Sequence, residues 1–172
     1  MRRTPSQPGP DAEARILILI DAFTQGDDAL EGRTKLAKLD FLLRYPAYLQ
    51  RALAIRAPRA TILVDSVEAN NIDHRMIRYR YGPWDPAYFS LLGRLVGKGL
   101  VKSVSLPRGV GYQVTSLGHD VAVRITSNVE WSQTAESARL LKRFFDLTGT
   151  WLKNFVYQHF PEVSQAKWGD RL

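Results

Sequence analysis

Lys98-Gly99-Leu100-Val101-Lys102-Ser103-Val104-Ser105-Leu106-Pro107-Arg108-Gly109-Val110-Gly111-Tyr112-Gln113-Val114-Thr115-Ser116-Leu117-Gly118 is the stretch on which the fold turns. Leu100 to Leu106 alternates as a strand, Pro107-Arg108-Gly109 is a tight connection, and Val110 to Thr115 returns as a second strand. Just upstream, Asp85 can accept from the free N–H groups of a new helix, and Pro86 sits where no donor is needed. That helix runs to about Lys98, and Gly99 suits the residue just past a helix end. Downstream, Ser116 to Ile125 starts another helix. A helix ending in Lys-Gly-Leu-Val, a hairpin, and then Tyr112-x-Val114-Thr115-x-x-Gly118 has the shape of a winged helix-turn-helix. The expected fold class is mainly α with a small β-wing.

Working back towards the N-terminus, Asp11 to Gln25 reads as a helix. Ile16, Ile20 and Phe23 share one face, with Leu17 and Leu19 widening it. Gly26-Asp27-Asp28 ends it, and a polar loop runs to Gly32. Arg33 to Tyr45 is a second helix with Leu36, Leu39, Phe41, Leu42 and Leu43 on a broad apolar side, and with Lys35, Lys38 and Asp40 expected in water. Pro46 opens a third helix, Ala47 to Arg56, and Pro58 closes it. Thr61-Ile62-Leu63-Val64 fits a short strand or the start of a helix equally well. Met76 to Tyr81 alternates as a half-buried strand, with Met76, Arg78 and Arg80 on one side and Ile77, Tyr79 and Tyr81 on the other. Gly82-Pro83 then turns the chain, and Gly-Pro-Trp84-Asp looks like a packed turn. At the other end, Ser132 to Pro161 is helical with a hinge at Thr148-Gly149 and is rich in aromatics. Three regions result: residues 1–10 a Pro-rich disordered leader, 11–126 a winged-helix domain, and 127–172 a C-terminal helical extension.

The 172 residues suffice for a core without a metal or disulfide staple. No cysteine is present, which excludes thiolate zinc sites, thiol nucleophiles and CxxC redox pairs, and suits a reducing compartment. The longest apolar run, Ile16 to Ile20, is far short of a membrane span. A cytoplasmic protein with no membrane association is the expectation. The formal charge is +7 and the pI about 9.9, which invites a nucleic-acid reading. The excess is central: residues 61–115 carry seven basic against four acidic groups.

No residue pattern carries an obvious reaction. Gly93-x-x-x-Gly97-Lys98-Gly99 has one residue too few between its glycines for a phosphate-binding loop, lacks the hydroxyl residue, and lies inside a helix. His74, His119 and His159 are far apart with no metal-ligand spacing, and no serine has a nucleophile elbow. The expectation is a non-enzyme with no metal and no cofactor. Arg78 and Arg80 on the central strand, Arg94 and Lys98 on the helix before the hairpin, and Arg108 on the wing are the candidate phosphate contacts. That helix offers bases little: it has no Asn or Gln for adenine, and its remaining positions are largely apolar. Arg75, Tyr79, Trp84, Trp151 and Phe155 are the candidate partner contacts, with Trp168 close behind, because aromatic and Arg side chains dominate interface energetics.

Three blocks together resemble one family. They are Thr34-Lys35-Leu36-x-Lys38-Leu39-Asp40-Phe41-Leu42-Leu43-Arg44-Tyr45-Pro46, then Arg75-Met76-Ile77-Arg78-Tyr79-Arg80-Tyr81-Gly82-Pro83-Trp84-Asp85-Pro86-x-Tyr88, and Leu92-Gly93-x-Leu95-Val96-Gly97-x-Gly99-Leu100-Val101. The chain, from about Ala14 to Phe160-Pro161, resembles the middle component of bacterial ABC three-component systems, of the type called middle component 2, with Lamassu-type defence as a relative. The resemblance implies a winged-helix subunit encoded beside an SMC- or Rad50-like ABC ATPase and an effector protein, acting against phage or plasmids. It implies a bridge between ATPase and effector, touching DNA non-specifically if at all, and it brings no catalytic residues. The alternative is a homodimeric winged-helix transcriptional regulator that binds DNA.

Overall fold

A computed structural model describes residues 8–60, 77–79 and 82–165, with 77–79 described by backbone alone. The leader residues 1–7, Thr61-Val64, Arg75, Arg80 and Trp168 lie outside the described residues. The fold is mainly helical with a small three-stranded antiparallel sheet.

Helix α1 (Pro10–Phe23) buries Ile16 through Ile20 and Phe23, which makes it a core helix on nearly every side. The polar loop expected before Gly32 contains a strand. Leu30–Glu31 forms β1, because Leu30 is fully buried and its backbone pairs with Tyr112 across the hairpin. Helix α2 (Gly32–Arg44) follows, then α3 (Pro46–Arg56) with its proline in the first turn. Strands β2 (Ile77–Tyr79) and β3 (Gly82–Trp84) form a separate antiparallel pair, so Gly82-Pro83 lies in a strand and is not simply the turn. Helix α4 (Tyr88–Gly97) leads into β4 (Val101–Leu106) and β5 (Gly109–Val114), and the sheet order is β1-β5-β4. Helix α5 (Ser116–Thr126), a 3-10 turn at Val129–Trp131, and helices α6 (Ser132–Phe145), α7 (Gly149–His159) and α8 (Pro161–Gln165) complete the described chain.

Local chemistry explains the joints. At the end of α4 the Gly99 N–H donates to the Val96 carbonyl (2.9 Å) and the Leu100 N–H to the Leu95 carbonyl (3.0 Å). That pairing needs a left-handed residue at position 99, and Gly99 supplies it with φ +71°. Thr115 starts α5: its Oγ1 accepts from the Gly118 N–H (3.0 Å) and donates to the Gly99 carbonyl (2.6 Å). Gly118 lies so close to the end of α4 that a Cβ there would sit 1.9 Å from the Leu100 carbonyl oxygen. Helix, hairpin and helix are locked together at one point.

Helix α2 is the centre of the molecule. It packs on α3, α6 and α7, and every residue from Lys35 to Arg44 is buried. Lys35, Lys38 and Asp40 are therefore not in water, contrary to the reading of the helix taken alone; each meets partners supplied by distant segments. Helix α6 packs on α1 and α7 on α2, and one apolar core runs from Ile16 through Leu141, Phe145 and Leu152 to Phe160. The core is thus continuous across residue 127. Thr148 caps α7, accepting from the Trp151 N–H (3.2 Å), and the expected hinge is where α7 meets α2: a Cβ on Gly149 would lie 3.2 Å from the Lys35 backbone nitrogen.

Candidate interaction surface

The stretches 34–46 and 82–88 meet in a buried ionic network. Asp40 is fully buried on α2. Arg15 of α1 donates from Nε to its Oδ1 (2.7 Å), the Tyr88 hydroxyl of α4 donates to its Oδ2 (2.7 Å), and Arg44 Nη1 lies 3.7 Å away. Arg44 donates from Nη1 to Asp85 Oδ2 (2.8 Å), and the other oxygen of Asp85 accepts from the Ala87 N–H (2.8 Å) at the entrance to α4. Lys38 donates to the Pro83 carbonyl (3.2 Å). Burial alone would raise the Asp40 pKa, but the Arg15 and Arg44 charges and the hydrogen bonds from Arg15 and Tyr88 outweigh it, and the carboxyl is held below its ordinary value. Burial, then the Asp40 charge, pushes the Tyr88 phenol well above its usual range. Asp40 is thus an ionised carboxylate between two arginines and a neutral phenol that donates to it, and the set acts as struts that fix α4 on α1 and α2.

The outer face of α4 is different in kind. Tyr88, Leu91, Leu92 and Leu95 point inwards, while Phe89 is 59% and Val96 41% exposed. Gly93 and Gly97 lie between and beside them, and a Cβ at either would have nothing within 4 Å beyond the adjoining helix backbone. The Arg33 guanidinium at the start of α2 sits 4.4 Å over the Phe89 ring.

The sequence candidates scatter. Arg94 and Lys98 share one carboxylate: Arg94 Nε lies 3.0 Å from Glu13 as an ion pair without hydrogen-bond alignment, and Lys98 Nζ bonds the other Glu13 oxygen. Arg94 also donates to the Pro8 carbonyl (2.8 Å). Arg108 is exposed at the hairpin tip. Arg78 and Tyr79 are placed only as β2 backbone, and Arg75 and Arg80 lie outside the described residues. Trp84 is half-buried, edge-on to Tyr88 (5.3 Å). Phe155 is buried in the core, so it has no surface to offer, and Trp151 stacks on it (5.0 Å) with Arg56 over its other side (4.9 Å).

Two clefts accompany these features. One, of about 430 Å³, lies beneath the hairpin, where Lys35 (2.7 Å) and Lys142 (2.6 Å) both hold Asp146. Burial would raise the Asp146 pKa, but the two lysines bring it below the ordinary value. The other, of about 440 Å³, is bordered by Asp11, Arg15, Arg44, Glu130, Trp131 and Gln133. In the first, Lys35, Lys142, Asp28 and Asp146 pair with one another, and in the second Arg15 and Arg44 belong to the Asp40 network. His119, which looked isolated along the chain, has its Nδ1 2.8 Å from Asp21 on α1, and that hydrogen bond raises its pKa. The pair sits on the surface outside both clefts and pins α5 to α1. Among the described residues no group of three or more His, Cys, Asp and Glu side chains is placed to hold a metal ion, and no helix is long and apolar enough to cross a membrane. Comparison with protein-family models, with curated proteins and with solved structures finds no match to this chain.

Proposed function

We propose that this chain is a non-catalytic winged-helix adaptor of the cytoplasm, bridging an SMC- or Rad50-like ABC ATPase and an effector in a bacterial system directed against phage or plasmids. The winged-helix reading is supported by the element order α1–β1–α2, then α4–β4–β5, and by β1 adding to the hairpin in the order β1-β5-β4. The adaptor reading rests on one observation. The helix in the recognition position turns Phe89, Gly93, Val96 and Gly97 outwards, with Ser90 the only uncharged hydrogen-bonding side chain beside them. Base edges are read by hydrogen bonds, so this face is built for a protein surface. A tagged chain is expected to co-purify with the ATPase encoded beside it at native salt, and separation of the two would overturn the reading.

A second reading has its own support. Lys102, Arg108 and Arg124 are exposed on the hairpin and α5 and make no ion pair among the described residues. They suit phosphates, either as an accessory contact of the adaptor or in a homodimeric DNA-binding regulator. Two or three phosphate contacts give a slope of log affinity against log salt of roughly −2 to −3. A preference for one DNA sequence over random duplex would favour the regulator.

A further inference from the structure

We infer that the outer face of α4 is the docking site for an amphipathic helix of a partner protein, one whose apolar stripe is bordered by acidic side chains. This rests on the adaptor reading and names the chemistry of the partner. Phe89, Gly93, Val96 and Gly97 recur at i, i+4, i+7 and i+8, which places them on one stripe. The two exposed aliphatic and aromatic side chains give apolar contact, and the two glycines leave a trough along the same helix. A second helix can seat its own side chains there and approach closely, as ridges enter grooves.

The borders decide the occupant. Arg33 stands on the Phe89 side. On the other, Arg94 and Lys98 oppose the single carboxylate of Glu13, leaving one uncompensated cation, and Lys98 is 56% exposed. Both margins are positive. A second copy of this chain would bring the same positive margins and a +7 charge against them, so a self-pair is disfavoured. Duplex DNA matches the charge but would bury Phe89 and Val96 against hydrogen-bonding base edges. An apolar helix with Glu or Asp along its sides matches the centre and both margins.

The glycines make the test clean. Both positions are exposed and a Cβ at either meets nothing beyond its own helix backbone, so Gly93→Leu and Gly97→Leu are directed into solvent, and the helix loses two residues of poor propensity. The probe is a fluorescein-labelled helix of about 20 residues with a Leu/Ala stripe bordered by Glu, long enough to cover α4. Binding is read by anisotropy, against the same helix with Lys borders. The Glu helix is expected to bind at least about tenfold more tightly than the Lys helix, and Gly93→Leu or Lys98→Glu to weaken it about tenfold, the melting temperature holding or rising in Gly93→Leu and falling slightly in Lys98→Glu, which loses its pair with Glu13. Equal binding of the two helices, no binding of either, or indifference to Gly93→Leu and Gly97→Leu overturns the proposal. So does sedimentation showing a dimer that Gly97→Leu abolishes, or a random duplex that displaces the Glu helix. If the ATPase still co-purifies with the Gly93→Leu/Gly97→Leu chain, the adaptor stands and this site falls. If the Glu helix binds as expected and no ATPase co-purifies, the site stands and the adaptor falls.

Discussion

Helices α2 and α4 invert the usual relation between composition and burial. Of the five charged residues of α2, only Arg33 in its first turn is exposed, and Lys35, Lys38, Asp40 and Arg44 are buried. Within α4 only Arg94 is charged, yet Phe89 and Val96 face out. A charge inside is tolerable where an opposite charge and hydrogen bonds meet it, and Asp40 with Arg15, Arg44 and Tyr88 meets that condition. An apolar side chain outside costs little by itself, but Phe89 and Val96 on one stripe with two glycines suit a contact surface. In the proposed reading the charged helix is the scaffold and the oily helix the interface.

The strongest way to break this contrast is Asp40→Asn. It takes the anion from half-buried Arg15 and leaves buried Arg44 with its Asp85 partner, and chemical denaturation should show a loss of about 3 kcal/mol or more. An undiminished denaturation midpoint would mean that the α2 charges are bystanders. Gly118→Ala comes next, because its Cβ meets a backbone carbonyl that cannot step aside; thermal melts should report a loss of about 3 kcal/mol.

The acid limb is a finer measure. The folded Asp40 pKa is depressed, so its contribution is present above the ordinary value near 3.8 and is lost as pH falls through the folded-state value. The Asp40 contribution is expected to stay level above about pH 5 and drop below about pH 4, so the acid limb is shallower in Asp40→Asn. On α4 the sign reverses: Gly93→Ala should stabilise the free chain by up to about 1 kcal/mol, because nothing crowds the site. The smallest effect belongs to His119→Gln. Asp21 raises the folded imidazole pKa, so the pair contributes below the ordinary value of 6.5 and fades as pH rises through the raised one. The variant should lose that slope in melts between about pH 6 and 8.

Much of this architecture can be read along the chain. The hairpin from Val101 to Val114, the left-handed Gly99 and the leucines of α2 declare themselves through period and turn chemistry. Strand β1 does not, because two residues carry no period and its pairing lies with Tyr112 and Gly111. The surface is split in the same way. Arg94 and Lys98 stand out as cations, but Glu13, which takes up one of the two charges, comes from a helix more than eighty positions away.

The order of the long helices, the lack of thiol chemistry and the hairpin turn at Pro107-Arg108-Gly109 are local properties, set by residues within a few positions of one another. Whether Lys35 or Asp40 meets water, whether Phe155 faces a partner or the core, and which side of α4 stays bare depend on chain segments tens of residues distant. Burial is a relation between segments, and a charge or a ring acquires its role only when the fold supplies what lies against it.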